Sequence, residues 1–393
     1  MREGWQQKKL VEVCQIRPPK KEAKDLLAQN DFVSFVPMKT LNINQKYFDS
    51  DEKKLLSEVS SSYTYFKNDD VLLAKITPCF ENGKLGIAKN LINGIGFGSS
   101  EYIIYRSKKN IKPEFLYYYL NQEEFRARGK MNMTGAVGHK RISKEFYEDS
   151  IIPIPPLEEQ KQIVTILDEA FTAIDQAKAN IEKNIINAKE LFDSKKEQVF
   201  INLSLESELM PILDTCKKMF AGGDKPKPNF SKFKTEKYKI PVVSNGEKNN
   251  GIFGYTDKAK VKEPSITISA RGTIGFTVFR DYSFLPIVRL IVLTPNLDLV
   301  FPEFLIHAIK SLDILKSGSS IPQLTVPMMK GYSLPIPSKK KQLEVIKQLN
   351  SLESKLKNYE IKLANKIIDL EELKKSILQK AFTGELTQKE VLV

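Results

Sequence analysis

The chain has 393 residues, a formal net charge of +13 at pH 7 and 41% apolar residues, enough for two or three domains with packed cores. It has three cysteines without CxxC spacing and two histidines, so no metal cluster is expected. No apolar run approaches the roughly 20 residues that span a bilayer, and the first residues lack a signal-peptide core, so we expect a cytoplasmic protein without membrane contact.

The positive charge is concentrated in two parts of the chain. Residues 1–150 carry 25 Lys and Arg against 19 Asp and Glu, and residues 205–335 carry 18 against 12, so each part has a net charge of +6. Residues 156–204 are net −3, and residues 336–393 are net +4. Contact with a polyanion is therefore expected mainly from the first two parts.

Residues 1–150 are predicted to form a mixed domain dominated by short strands. Runs of β-branched and aromatic residues, such as residues 102–105, are bounded by Gly and Pro. A helix is predicted from Pro113 to Arg128, because proline occupies its first turn and an apolar stripe includes Phe115 and Tyr119. We expect this stripe to lie in the core.

Residues 151–204 open with Pro153-Ile154-Pro155 and continue as a long helix without internal Gly or Pro. Its apolar residues recur at three- and four-residue steps between Leu157 and about Val199. About forty helical residues reach roughly 60 Å, more than one globular domain would bury, so this stripe predicts pairing with another helix.

Residues 205–335 repeat the signals of the first domain, with a helix predicted from Pro302 to Lys316. His307 on this helix is interpreted as a packed side chain because no second metal-binding group is nearby. Between Lys217 and Lys239, eight lysines alternate with aromatic residues. This pattern is typical either of a basic loop that contacts DNA or of a solvated surface loop.

Residues 336–393 again follow a prolyl phrase, Pro335-Ile336-Pro337, and again predict a long helix with heptad-like spacing. The two helices could pair within one chain or between chains. Pairing within the chain, in antiparallel sense, would place the two basic domains at opposite ends of a helical spacer. Two such domains can read two half-sites separated by an unread spacer, and because the domains differ in sequence the site should be asymmetric.

The candidate DNA-contacting residues lie in polar, Gly-rich segments outside the predicted strands, because Arg, Lys, Asn, Gln, Ser and Thr are side chains that contact base edges and phosphates. In the first domain they are Lys75, Thr77, Asn82, Lys84, Ser99, Ser100, Lys140 and Arg141. In the second domain they are Lys225, Lys227, Ser244, Asn245, Arg271, Thr273, Ser319 and Gln323. For Asn245-Gly246 a turn is the favoured interpretation, whereas for Arg271-Gly272 turn and contact stay equally open.

Several landmarks occur twice in the same order. The prolyl phrases are followed by Glu158-Glu159-Gln160 and by Gln342, and they are preceded by the matching segments 135–143 and 318–325. Together with the ending at residues 381–386, these landmarks make the chain resemble the specificity subunit of a type I restriction-modification system, over nearly its whole length.

The resemblance implies an α+β fold with a pseudo-two-fold internal repeat. Two mixed, strand-rich target-recognition domains, residues 1–150 and 205–335, would be separated by two helical segments, residues 151–204 and 336–393. The helices would form an intramolecular antiparallel coiled coil, and each domain would read one part of a bipartite, asymmetric site in double-stranded DNA.

The same resemblance implies partners. The helices would dock two methylation subunits and, through them, restriction and translocation subunits. S-adenosylmethionine and ATP with Mg²⁺ would be bound by those partners, and this chain would carry no cofactor, metal or catalytic residue.

Two alternatives remain at this point. A structural coiled-coil scaffold with basic domains would explain the helices but not the repeated landmarks. A free-standing methyltransferase or nuclease would need motifs that the chain lacks, since it has no GxxxxGK[ST] loop and no Asn/Asp-Pro-Pro-aromatic tetrapeptide.

Overall fold

The computed structural model of the chain describes residues 2–50, 52–136, 138–312 and 323–387. The chain divides into two compact units. Unit 1 consists of residues 1–181 and 365–393, and unit 2 of residues 182–364. Because these boundaries fall inside two long helices, the division into four successive segments made above stays a prediction.

Unit 1 contains short strands in several small sheets, with short helices between them. Its strands are β1 Gln6–Lys9, β2 Cys14–Ile16, β3 Phe32–Val36, β4 Tyr47–Phe48, β5 Lys53–Leu55, β6 Thr64–Lys67, β7 Val71–Ala74, β8 Leu85–Ala88, β9 Ile95–Gly98, β10 Tyr102–Ser107, β11 Met133–Thr134, β12 Arg141–Ile142 and β13 Ile151–Ile154. Its helices are α1 Leu10–Val13, α2 Lys21–Leu26, α3 Leu56–Val59, α4 Pro113–Leu120, α5 Glu123–Met131, α6 Lys144–Asp149 and the first half of α7, Leu157–Glu206. The larger sheets have the orders β2-β10-β7-β8-β4 and β5-β3-β9-β6.

Unit 2 has a related but shorter set of elements. Its strands are β14 Leu209–Pro211, β15 Cys216–Ala221, β16 Ile240–Val243, β17 Ile252–Thr256, β18 Ser265–Ser269, β19 Thr277–Arg280, β20 Leu285–Pro286, β21 Leu290–Pro295 and β22 Ser333–Pro335. Its helices are α8 Pro302–Lys310, α9 Val326–Lys330 and the first part of α10, Lys339–Thr383. The main sheet has the order β15-β21-β18-β19, beside a sheet of order β17-β16-β20.

The apolar stripes predicted on the local helices are buried. Phe115 and Leu116 in unit 1, and Phe304 and Leu305 in unit 2, are fully buried in the cores of their units. The helix predicted from residue 113 to 128 is instead two helices, α4 and α5, because the chain turns at residues 121–122.

The long helices pair in antiparallel sense, as the sequence predicted. In unit 1, Asp175 accepts from Lys374 at 2.9 Å while Lys178 bonds to Glu371, so residue numbers rise on α7 and fall on α10. In unit 2, Lys189 of α7 lies 3.2 Å from Glu360 of α10. Leu343 and Leu373 fit the heptad-like spacing of α10 in the sequence but are exposed, because a 3.6-residue period drifts away from a strict heptad.

The helix ends repeat one packing contact in both units. The ring of Phe382, near the end of α10, lies 4.9 Å from Phe115, and the ring of Phe200, near the end of α7, lies 5.9 Å from Phe304. Residues 199–202 and 381–384, which match only partly in sequence, are thus equivalent in position. None of the described helices has both the length and the apolar composition needed to cross a bilayer.

Gln160 and Gln342 are the most closely repeated feature. Gln160 Nε2 donates to the carbonyl oxygens of Asn110 (3.0 Å) and Pro155 (2.9 Å), and its Oε1 accepts from the backbone N–H of Lys112 (2.9 Å). Gln342 makes the same three bonds, to Leu299 O, Pro337 O and Phe301 N, each at 2.9 Å. Both side chains are fully buried. Each glutamine therefore ties the start of a long helix to the residues before a local helix.

His307 should make unit 2 less stable in mild acid. The residue is 9% exposed, and burial lowers the pKa of its ring below 6.5, although a contact between Nε2 and Asn350 Oδ1 at 3.4 Å raises it. Among the charged neighbours, Lys310 lowers this pKa, whereas Glu303 and Glu353 raise it. Because the unfolded chain takes up the proton first, this contribution to stability is complete above pH 6.5 and is lost as pH falls toward the folded-state pKa.

Urea denaturation from about pH 7.5 to about pH 5 tests this expectation. As pH is lowered, the urea concentration at the unfolding midpoint should fall less for His307→Gln than for the unmodified chain. Equal pH dependence in the two proteins would contradict the assignment to His307.

Candidate nucleic-acid interface

In unit 1, the loop after β7 meets the loop before β10 and the strand β12. Lys75 Nζ donates to Ser100 O at 2.9 Å and lies 3.9 Å from the carboxylate of Glu101. The backbone N–H of Thr77 donates to Lys140 O at 2.9 Å. Six of the eight predicted residues of this domain therefore lie together with Glu101 in one group, the unit 1 cluster: Lys75, Thr77, Ser99, Ser100, Glu101, Lys140 and Arg141.

Arg141 and Glu101 form a paired charge inside this cluster. Arg141 Nε and Nη2 donate to the two carboxylate oxygens of Glu101 at 2.9 and 2.7 Å. The bond from Arg141 is the main cause that lowers the pKa of Glu101, with Lys75 contributing. The carboxylate is therefore ionised at neutral pH. Glu101 was not among the predicted residues, although it directly follows Ser99-Ser100.

Asn82 and Lys84 are not brought into the unit 1 cluster in the same way. Asn82 is exposed on the turn after Thr77, where its backbone N–H donates to Pro78 O at 3.0 Å. Lys84 Nζ donates to Met38 O at 2.7 Å, so its ammonium group holds a neighbouring loop of the same unit.

In unit 2, the turn after β16 meets the loop after β18. Asn245 Nδ2 donates to Arg271 O at 2.9 Å, and Ser244 Oγ donates to Asn245 Oδ1 at 3.1 Å. Gly246 has a φ of +113°, which supports the turn interpretation of Asn245-Gly246. Arg271 remains exposed.

Two other predicted residues lie near this turn, and one is outside the described part. Gln323 is exposed and precedes Leu324, whose N–H donates to Ala270 O at 2.8 Å, next to Arg271. Thr273 is exposed on the same loop, and its carbonyl accepts from Phe276 N at 3.2 Å. Ser319 lies outside the described residues.

A buried arginine anchors the turn. Arg280 is 1% exposed, and its guanidinium donates to Asn250 O (2.7 Å), Thr267 Oγ1 (3.0 Å) and Tyr282 Oη (2.8 Å). No carboxylate of the described residues lies within ion-pair distance of it. Because Asn249 and Asn250 both have positive φ, this anchor fixes a backbone that would otherwise be costly to hold.

The basic loop predicted between Lys217 and Lys239 is a loop only from Gly222 onward, because residues 217–221 belong to strand β15, and this loop lies against β17. Lys225 Nζ lies 3.8 Å from the ring centroid of Phe230 and 5.2 Å from that of Phe253. Lys217 and Lys218 approach Glu263 at 3.9 Å. The other lysines of the loop form no ion pair with a described carboxylate, and these are Lys225, Lys227, Lys232, Lys234, Lys237 and Lys239. Their charge is thus left for an external anion.

Within the described residues, no group of three or more His, Cys, Asp or Glu side chains could hold a metal ion. The three cysteines are free thiols, and burial raises the pKa of Cys14 to about 12. The polar groups described above lie on exposed loops, where their side-chain donors and acceptors are available for binding.

A family model described as the type I restriction modification DNA specificity domain matches residues 2–188 and, a second time, residues 206–367. The chain belongs to this type I specificity family. The double match agrees with the internal repeat, and membership supports sequence-specific DNA recognition over the scaffold and free-standing enzyme alternatives.

Individual relatives agree with this assignment. The chain is 36% identical over 257 residues to a putative type I specificity subunit from Mycoplasma pneumoniae, covering 63% of this chain and 74% of that protein. It is 34% identical over 175 residues to the EcoAI specificity subunit of Escherichia coli, covering 44% of this chain and 29% of that protein.

Two solved structures from type I systems share the fold. The HsdS subunit from Thermoanaerobacter tengcongensis superposes with a TM-score of 0.69 at 18% identity, covering 98% of each chain. A chain from a type I R-M structure that addresses complex assembly and conformational transition gives a TM-score of 0.80 at 18% identity, covering 98% of this chain and 99% of that one. The predicted fold class, two mixed domains with two long paired helices, is confirmed.

Proposed function

We propose that this type I specificity protein is a non-catalytic, cytoplasmic subunit that reads a bipartite, asymmetric DNA site. One half of the site would be read by the unit 1 cluster together with Asn82 and Lys84. The other would be read by Ser244, Asn245, Arg271, Thr273, Ser319 and Gln323, with Lys225 and Lys227 of the basic loop contacting phosphates.

One observation carries this proposal. The polar groups of the two units lie on loops that follow equivalent strands, β7 in unit 1 and β18 in unit 2, but their side chains differ. Equivalent backbone positions would approach DNA in the same way, whereas different side chains would read different bases. An asymmetric site follows from this combination.

The proposed partners are two methylation subunits and, through them, restriction and translocation subunits. In this proposal, S-adenosylmethionine is bound by the methylation subunits, and ATP with Mg²⁺ by the restriction subunits. The net charge of −3 on residues 156–204 supports a protein rather than a DNA contact for α7, because DNA would be repelled.

Exchange of one domain tests the proposal. The chain is expressed with its methylation subunits in a host free of DNA methylation, and methylated adenines are mapped before and after residues 1–150 are replaced by those of another family member. We expect one half of the methylated motif to change and the other half to stay the same. A structural scaffold would instead leave the whole motif unchanged.

A second measurement addresses the enzyme alternative. The purified chain alone should neither methylate nor cleave DNA and should not bind S-adenosylmethionine, whereas the complex with methylation subunits should methylate. Methyl transfer by the well-folded chain alone would contradict the non-catalytic assignment.

A further inference from the structure

The two polar clusters share one backbone frame. In unit 1 the N–H of Lys75 donates to Glu101 O at 2.9 Å, and Lys75 O accepts from Ile142 N at 3.1 Å. In unit 2 the N–H of Ala270 donates to Arg289 O at 2.9 Å, and Ala270 O accepts from Leu324 N at 2.8 Å. Arg289 therefore occupies in unit 2 the position that Glu101 occupies in unit 1.

The charge at this shared position is opposite in the two units. Glu101 is a carboxylate already paired with Arg141. In unit 2 the position of Arg141 is taken by Gln323, and the guanidinium of Arg289 makes no hydrogen bond or ion pair with a described residue. The two units thus share these two backbone hydrogen bonds but differ in the side chain beside them, which is a carboxylate in unit 1 and, in unit 2, a five-donor guanidinium without a hydrogen-bond partner among the described residues.

The backbone of Arg289 is held in an uncommon conformation. Its φ is +70°, in the left-handed region that side chains other than glycine rarely adopt, and the residue is exposed. An arginine at such a position costs backbone stability relative to glycine, and this cost motivates a functional interpretation of its side chain.

Two segments that carry positive charge join the backbone next to Arg289. Gly222, at the start of the basic loop, donates its N–H to Leu290 O at 2.8 Å, directly beside Arg289. Arg271 follows Ala270, which is bonded to Arg289 O. Backbone hydrogen bonds thus connect the segment around Arg289 to the residue before Arg271 and to the residue at which the basic loop begins.

We propose that Arg289 determines specificity in unit 2 by donating two hydrogen bonds from its guanidinium to the O6 and N7 atoms of one guanine. This inference rests on the proposed function and names the base that the second half-site must contain. The planar fork of arginine matches the paired acceptors on the major-groove edge of guanine, and lysine cannot reproduce both bonds in that geometry.

The test uses the full chain in complex with its methylation subunits, with methylated motifs mapped for each variant. Arg289→Lys keeps the positive charge but removes the fork, and Arg289→Gly removes the side chain while suiting the left-handed backbone. With either variant, the complex should also methylate sites in which another base replaces one guanine of the half-site read by unit 2. The loss of discrimination at that base should be about 10- to 100-fold.

Lys262→Ala is the matched control, because Lys262 is an exposed cation of the same unit that precedes the opposite end of β18. It should leave the motif unchanged. Thermal melting of each variant should stay close to that of the unmodified chain, which separates a change in recognition from misfolding.

Several outcomes would overturn the inference. An unchanged motif with uniformly weaker, more salt-sensitive methylation would make Arg289 a phosphate contact. Relaxation in the half-site read by unit 1, or a second half-site without guanine, would also contradict it. A wild-type complex that methylates no defined motif would instead refute the proposed function, and the inference with it.

Discussion

Replacing Gln160 with leucine is expected to destabilise unit 1 by about 4 kcal/mol. The change removes three hydrogen bonds made by a fully buried side chain, and Asn110 O, Pro155 O and Lys112 N lose that partner, while an apolar side chain of similar length is added. A backbone group that is left unsatisfied away from water costs about 1–3 kcal/mol, and together these losses exceed the small gain from apolar burial. The equivalent change Gln342→Leu should destabilise unit 2 in the same way.

Hydrogen exchange measured by mass spectrometry can separate the two effects. Gln160→Leu should raise exchange in peptides that contain β1, β13 and α4, and Gln342→Leu in peptides that contain β14, β22 and α8. Gln162→Leu is the control, because Gln162 is exposed on the same helix. If Gln160→Leu and the control exchanged alike, the three hydrogen bonds would not be the source of stability.

The variant Gly222→Ala should destabilise unit 2 by about 3 kcal/mol and weaken DNA binding by the complex. A methyl group on Gly222 would lie 2.6 Å from the carbonyl carbon of Ile287 and closer still to its oxygen, so the backbone must move. The contact lies where the basic loop leaves β15, next to Leu290. Displacement would therefore also shift the unpaired lysines.

Gly223→Ala provides a control of the same chemistry one residue away. A methyl group on Gly223 meets no atom within 4 Å, so this change should be nearly neutral. Chemical denaturation measures the free energy of unfolding of the two variants, and DNA-binding titrations measure the affinity of their complexes for DNA. Equal stability of Gly222→Ala and Gly223→Ala would show that the backbone at Ile287 yields without cost.

The long helices and their antiparallel pairing were predictable because a stripe of apolar residues without Gly or Pro has few other outcomes. The break between α4 and α5 was not predictable from the sequence, because residues 121–122 are neither Gly nor Pro. In the sequence, Gln160 and Gln342 are recognisable only as the same residue type at matching places after the two prolyl phrases. Their role depends on backbone groups 41 to 50 residues away, which no local pattern reveals.

The candidate interface was predictable in outline and not in detail. Selecting polar residues near glycines led to Lys75, Arg141, Asn245 and Arg271, which lie on the loops that meet in each unit. The same selection missed Arg289, because it stands between apolar residues that read as strand. Aligning the two halves through the loop before β10 and the loop before β21 would have exposed it opposite Glu101.

The composition of unit 1 from residues 1–181 and 365–393 has a consequence for biosynthesis. Ala381 and Phe382, which complete the packing around Phe115, leave the ribosome only after every residue of unit 2. Unit 2 is a single continuous segment and can close first, whereas the nascent first unit must wait with part of its apolar interior uncovered. Translation therefore completes the two units in the reverse of the order in which they begin.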